Sequence, residues 1–193
     1  MCAQFYIAEE DAALELQQII DAVNRKNPPA EMKTAGTVRP TDTVPVIANS
    51  KKAAPSVFAM KWGYSVPDGR LVINARSETA AAKPLFRDGM AQRRCVIPAT
   101  NYFEWEKRGK DRIRYAIAPA SLPVMYMAGL YRFENGLPVF TVLTRAPADP
   151  IAFIHDRMPV ILPGEAVRDW LDPAFIADEV LQSAVLRVAY RTA

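Results

Sequence analysis

Two cysteines, one histidine and one acid set among aromatic residues carry most of the reactive chemistry open to this sequence. Cys2 is the most informative of them. A residue as small as cysteine at position two lets the initiator Met1 be removed, which leaves an α-amine beside a thiol. The reference pKa values are about 7.7–8.0 for the amine and about 8.5 for the thiol, so both have reactive fractions near neutrality. Two chemistries follow. The amine can form a Schiff base with an aldehyde, and the thiol, two carbons away, can close a five-membered thiazolidine ring at high effective concentration. Alternatively the thiol can attack an amide with the amine as its base, as in a cysteine peptidase or amidase with an N-terminal nucleophile.

His155, in Ile-His-Asp-Arg-Met-Pro, is the only imidazole and therefore the natural proton shuttle near pH 7. The bland alternative is a turn-capping histidine before Pro159, with Asp156 and Arg157 paired to each other. Glu104 lies in Asn-Tyr-Phe-Glu-Trp. On an alternating strand Tyr102 and Glu104 share one face, and Phe103 and Trp105 the other. A carboxylate against aromatic rings suits general acid–base work, and an exposed strand face continued by Glu106 is the competing reading. Asn74-Ala75-Arg76 follows an apolar run, so Asn74 can orient a substrate oxygen and Arg76 can hold a phosphate. Trp62-Gly63-Tyr64 offers either a ring on which an unpaired base stacks or ordinary core packing. Cys95 reads as a small buried hydrophobe. Arg108, Lys110, Arg112 and Arg114 recur at a spacing of two, which on one strand would share a face. They fit a solvated hairpin edge better than a basic ribbon for a phosphate backbone.

The composition limits what these residues can build. With 193 residues, the chain fits one domain with a sizeable core of its own. Two cysteines exclude a disulfide scaffold and a four-cysteine zinc site, and one histidine excludes sites that need two imidazoles. No cofactor and no metal are expected. No apolar run reaches the length of a membrane span, and the early acids do not suit an export signal, so a cytoplasmic protein is expected. The net charge of +3 permits nucleic-acid binding without demanding it.

Elements must then position these side chains. A strand is expected over residues 2–7 and a helix over 9–25, with Leu16, Ile19, Ile20 and Val23 on its apolar stripe and Asn27-Pro28-Pro29 ending it. Short β-branched or aromatic runs follow at 44–48, 56–62, 71–75, 94–97, 102–105, 114–118, 124–131, 139–144 and 158–162. A weak helix over 78–86 is interrupted by Pro84, and a helical turn fits 149–154. Helices are expected over 164–171 and 173–186, with Pro173 at a first helical position. Strands in the middle, helices at the ends and no βαβ alternation give a single α+β domain. Its sheet is expected to be bent or barrel-like and mostly antiparallel, with peripheral helices.

In chain order, Cys2, Pro40-Thr41, Trp62-Gly63, Asn74-Ala75-Arg76-Ser77-Glu78-Thr79, Arg94-Cys95-Val96-Ile97-Pro98, Phe103-Glu104-Trp105, Thr141-Val142-Leu143-Thr144 and His155-Asp156-Arg157-Met158-Pro159 resemble the SRAP family, the SOS response-associated peptidase-like proteins. The resemblance runs from Cys2 to about Leu171. It implies a DNA-repair protein that crosslinks covalently to abasic sites in single-stranded DNA, and a peptidase role centred on self-removal of Met1. By the same resemblance Cys2 is the crosslinking residue, Asn74 positions the sugar or the Cys2 amine, and Glu104 assists ring opening and Schiff-base formation. His155 acts on the sugar hydroxyl side and Thr144 lines the pocket. Arg76 and Arg157 hold flanking phosphates, and Trp62 with Gly63 lines the DNA groove. A monomer acting on single-stranded DNA is expected. The chain departs from the family pattern at its start, where Cys2-Ala3-Gln4-Phe5 replaces Cys-Gly-Arg-Phe and removes a charge beside the pocket. Asn101 stands where glycine is usual, a residue tolerant of a left-handed turn.

Overall fold

The computed structural model describes residues 2–8, 18–22 and 32–193. Of the helix expected over 9–25, residues 18–22 are helical; the remainder, with most of the early acids and Asn27-Pro28-Pro29, lies outside the described residues. We label residues 18–22 α1.

Strands run in chain order as β1 (Gln4–Ile7), β2 (Gly36–Val38), β3 (Thr43–Asn49), β4 (Pro55–Trp62), β5 (Tyr64–Ser65), β6 (Leu71–Val72), β7 (Asn74–Arg76), β8 (Arg94–Ala99), β9 (Asn101–Arg108), β10 (Asp111–Pro119), β11 (Met125–Glu134), β12 (Leu137–Arg145), β13 (Met158–Pro159), β14 (Ile161–Leu162) and β15 (Val188–Thr192). The helices are α2 (Ser77–Ala80), α3 (Pro84–Gln92), α4 (Ala166–Leu171) and α5 (Ala177–Gln182). Strands β12, β4, β3, β8 and β11 pair in that order, and β11 pairs back to β12, so five strands close a barrel. Closure removes the sheet edges that would otherwise invite a second chain. Strand β12 runs parallel to β4 and to β7; the other pairings in the barrel are antiparallel. A second sheet of five strands, in the order β15-β10-β9-β1-β2, lies beside it. The fold is therefore α+β and mostly sheet, as the strand spacing implied.

Every residue of β8 is buried, because one face lines the barrel and the other is covered. Phe5 of the five-stranded sheet meets Trp62 of the barrel with ring centroids 5.1 Å apart, and Trp62 stacks on Phe140 at 6.1 Å. These rings join the two sheets into one core. The barrel wall is tight at Gly129, where a Cβ would fall 2.6 Å from Ile97 Cδ1 and 2.8 Å from the Thr141 carbonyl oxygen.

Several expected boundaries shift for local reasons. The run at 71–75 divides into β6 and β7, which join different sheets. Pro84 does not interrupt a helix. It opens α3, where its missing N–H costs no hydrogen bond. Pro173 precedes α5 by a turn, so that helix is shorter than expected. The chain closes on a strand rather than a helix: β15 pairs with β10 from Tyr115↔Thr192 to Pro119↔Val188. Asn101 is an ordinary strand residue and not a left-handed one.

Candidate functional site

The site is built where β1, β7 and β9 meet. The register sets Phe5 opposite Tyr102 and Gln4 opposite Phe103, so alternation turns Tyr102 and Glu104 inward with Phe5. Glu104 is 3% exposed and Cys2 is wholly buried. The exposed-face reading of Glu104 is thereby excluded. Asn74, the first residue of β7, donates from Nδ2 to the carbonyl oxygen of Cys2 at 2.9 Å. That bond fixes the backbone of Cys2 although 72 residues separate the two in sequence. Burial pushes the Cys2 thiol well above its ordinary pKa, and the Glu104 carboxylate pushes it further. The Tyr102 hydroxyl is shifted up by burial and by the nearby Cys2 and Glu104, which places Tyr102 in the same enclosure.

Two polar atoms of this enclosure, Asn74 Oδ1 and the Tyr102 hydroxyl, are buried without a hydrogen-bond partner among the described residues. Such atoms are uncommon in folded proteins and cost free energy when left unmet. An arriving donor or acceptor would satisfy them.

A chain of contacts leads from there to His155. Strand β7 pairs in parallel with β12, setting Arg76 beside Thr144. Thr144 is fully buried, and its hydroxyl donates to the Ala75 carbonyl at 3.3 Å. The Thr144 carbonyl accepts from Arg157 Nη2 at 2.6 Å. Arg157 also forms a two-point bridge to Glu78, 2.8 Å at each contact. This bridge holds the Glu78 carboxyl below the usual range. His155 Nδ1 lies 3.1 Å from the Arg157 backbone N–H and 2.7 Å from Asp156 Oδ1. A single ring nitrogen serves both. It accepts from the Arg157 N–H when unprotonated and donates to Asp156 when protonated. Asp156 and Arg157 therefore do not pair with each other, as adjacency had suggested. Each takes a different partner.

Three expectations change. Trp62 does not line an open groove. Its ring is fully buried, its Nε1 donates to the Ile73 carbonyl at 3.0 Å, and no face is left for an unpaired base. Gly63 is structural as well. It holds φ +115°, and a Cβ there would fall 2.5 Å from Leu71 Cγ. The four-cation stripe divides at the β9–β10 turn: Arg108 pairs across the hairpin with Asp111 on the inward face, while Arg112 and Arg114 face outward. Arg76 is exposed at the rim.

Sequence reasoning missed Glu78, because nothing local marks a partner 79 residues from Arg157. It had Tyr102 on the correct face without assigning its hydroxyl a part. It read Arg114 only as part of a solvated hairpin edge, whereas its Nη2 reaches the Gln4 side chain at 3.3 Å and brings a charge to a position that has none of its own. Among the described residues no group of three or more His, Cys, Asp or Glu could hold a metal ion. Among them, too, no helix is long and apolar enough to cross a membrane.

The family profile described as SOS response associated peptidase (SRAP) matches residues 1–192. The chain belongs to the SRAP family. Among its relatives, the abasic site processing protein YobE of Bacillus subtilis (strain 168) is 32% identical over 200 residues, covering 96% of this chain and 89% of that protein. The abasic site processing protein YedK of Escherichia coli (strain K12) is 35% identical over 116 residues, covering 57% of this chain and 52% of its own. A crystal structure of a Bacteroides thetaiotaomicron protein has the same fold, with a TM-score of 0.80 at 22% identity over 99% of this chain and 91% of that one.

Proposed function

We propose that this SRAP protein senses abasic sites in single-stranded DNA and crosslinks to them through a thiazolidine at Cys2. The observation that carries the reading is the enclosure around Cys2: a buried thiol whose backbone is fixed by Asn74, beside the Glu104 carboxylate and two unmet polar atoms.

Removal of Met1 exposes the Cys2 α-amine. The amine attacks the aldehyde carbon of the ring-opened deoxyribose, and loss of water gives a Schiff base. The Cys2 S–H then adds across the C=N bond, sulfur to carbon and proton to nitrogen, closing the thiazolidine. The net change is loss of one water, with no oxidant or reductant. Glu104 assists ring opening and moves the protons of Schiff-base formation, and His155 serves the sugar hydroxyl side. Asn74 holds Cys2 in place and offers Oδ1 to a sugar hydroxyl. Arg76, exposed at the rim, takes a flanking phosphate. Arg157 is engaged with Glu78 and Thr144, so it supports the site and reaches a phosphate only on releasing Glu78.

The raised thiol pKa supports an amine-first order. A protonated thiol is a poor nucleophile toward an amide, whereas it still adds to an imine formed by its own amine. This favours the crosslinking reading over an amidase acting in trans. The reading requires that Met1 be absent, and self-removal of Met1 is the peptidase role proposed with it.

The test is incubation of the purified protein with an oligonucleotide carrying one abasic site. A denaturant-stable protein–DNA band is expected from the wild type and none from Cys2→Ala. Intact mass reports whether Met1 has left. A wild-type protein with free Cys2 that gives no such band overturns the proposal.

A further inference from the structure

The reaction at Cys2 leaves one buried hydroxyl of its enclosure unused. Tyr102 stands on β9, the middle strand of the five-stranded sheet, with Phe5 of β1 directly opposite on one side and Ile117 of β10 on the other. All three side chains are buried. Cross-strand partners share a face, so the Tyr102 ring sits between two apolar neighbours that offer its hydroxyl no hydrogen bond. The hydroxyl has no partner among the described residues. An unmet O–H at this depth costs free energy, and an arriving acceptor recovers that cost.

The other polar groups near Cys2 are committed or of the wrong kind. Asn74 donates from Nδ2 to the Cys2 carbonyl, and its unmet atom, Oδ1, can only accept. Thr144 gives its hydroxyl proton to the Ala75 carbonyl. Glu104, as a carboxylate, accepts. The Cys2 thiol proton moves to nitrogen when the thiazolidine closes. Tyr102 therefore supplies an uncommitted O–H, held in place by a strand that is paired on both sides. Burial and the nearby Cys2 and Glu104 also hold this hydroxyl above its ordinary pKa, so it stays protonated and can point a proton at an oxygen without giving it up.

Amine attack creates a group with the matching need. As the Cys2 nitrogen bonds to the aldehyde carbon, the second electron pair of the C=O bond moves onto oxygen, which becomes an alkoxide beside Cys2. A fixed donor aimed at charge that develops in a buried site stabilises it with no reorganisation at the moment of reaction. We propose that the Tyr102 hydroxyl donates to this oxygen and stabilises the tetrahedral alkoxide formed by amine attack. Tyr102 keeps its proton throughout. Both protons of the attacking amine reach the oxygen by way of Glu104, the C–O bond breaks, and the oxygen leaves as water. The inference rests on the abasic-site reading and adds to it a further catalytic residue.

Tyr102→Phe removes one oxygen and keeps the ring. Each protein is used with Met1 gone, as intact mass reports. Crosslinking to an oligonucleotide with one abasic site is timed under single-turnover conditions at saturating DNA. Loss of one such donor should slow it about 100-fold. The factor should be constant from about pH 6 to 8, because the hydroxyl does not titrate there. Binding of an oligonucleotide with a tetrahydrofuran analogue, followed by anisotropy, should not change, since that analogue keeps the ring oxygen and lacks the aldehyde oxygen. The thermal midpoint should hold or rise, because the variant loses an unmet buried hydroxyl. Tyr131→Phe, on β11, should match the wild type in all of these. If Tyr102→Phe crosslinks at the rate of a normally active wild type, this inference is overturned and the thiazolidine reading stands. Slower crosslinking matched by equally weaker analogue binding also overturns it, since the hydroxyl then holds the sugar and not the alkoxide. A midpoint that falls together with the rate assigns the hydroxyl to the fold and overturns it too. A wild type with free Cys2 that never crosslinks removes the thiazolidine reading and this inference with it.

Discussion

Asn74→Ala tests the enclosure most directly. In the native site the Asn74 amide donates to the Cys2 carbonyl at 2.9 Å, and Cys2 is fully buried. Truncation removes the donor and leaves a buried carbonyl unmet, at a cost of about 1–3 kcal/mol. At about 1.4 kcal/mol per factor of ten, the ratio of native to displaced Cys2 placement falls about 5- to 150-fold. The low end applies if water enters to replace the lost donor. Crosslinking under single-turnover conditions at saturating abasic DNA reads that placement and should slow by up to the same factor. For a chain of this length the thermal midpoint should drop about 2–4 °C for each kcal/mol lost. Asn74→Asp is the sharper variant. It has the same shape, but an ionised carboxylate cannot donate and repels the Cys2 carbonyl, so it should crosslink no faster than Asn74→Ala. If both variants fold and crosslink at the wild-type rate, the Asn74–Cys2 bond does not place the nucleophile and the reasoning fails.

Other outcomes follow from the same geometry. Gly129→Ala should lower the thermal midpoint by several degrees, since its Cβ would meet Ile97 Cδ1 at 2.6 Å and a backbone oxygen at 2.8 Å, an overpacking cost of about 1–3 kcal/mol; an unchanged midpoint in calorimetry would show that the barrel wall yields. Glu78→Gln should cost about 1 kcal/mol at neutral pH, a figure kept small because the Glu78 side chain is 49% exposed. The native Glu78 pKa is depressed, so its contribution is present above the unfolded value of about 4.3 and is lost as pH falls through the folded value; wild type and variant should therefore converge in acid. Burial raises the pKa of Cys95, so its contribution holds below the unfolded thiol value of about 8.5 and fades above it. Cys95→Ala should flatten the alkaline loss of stability by up to about 1.4 kcal/mol per pH unit in urea titrations. Crosslinking needs a neutral amine, so its rate should fall on acidification through about 7.7–8.0; a rate flat from pH 6 to 8 would count against the amine as the attacking group.

Local pattern exposed some residues and hid others. Alternation along Asn101–Arg108 was enough to set Tyr102 with Glu104, because a strand's period of two is fixed by its backbone. It failed at the β9–β10 turn, where the chain reverses and Arg108 parts company with Arg112 and Arg114. Trp62 illustrates another limit: a tryptophan beside glycine reads equally as core or as a stacking platform until its neighbours Phe5 and Phe140 are known.

The sequence alone determined that the chain is mostly short strands, that its reactive set is one terminal aminothiol, one imidazole and one acid among aromatics, and, through its motifs, the family to which it belongs. These follow from residue type and short-range period, which the backbone imposes everywhere. Only the tertiary structure decided that five strands close a barrel, that Asn74 holds Cys2, that Arg157 is committed to Glu78, and that a guanidinium from β10 stands over Phe103 beside Gln4. Each depends on partners tens of residues apart, brought together by strand register and burial, and no local spacing carries that information.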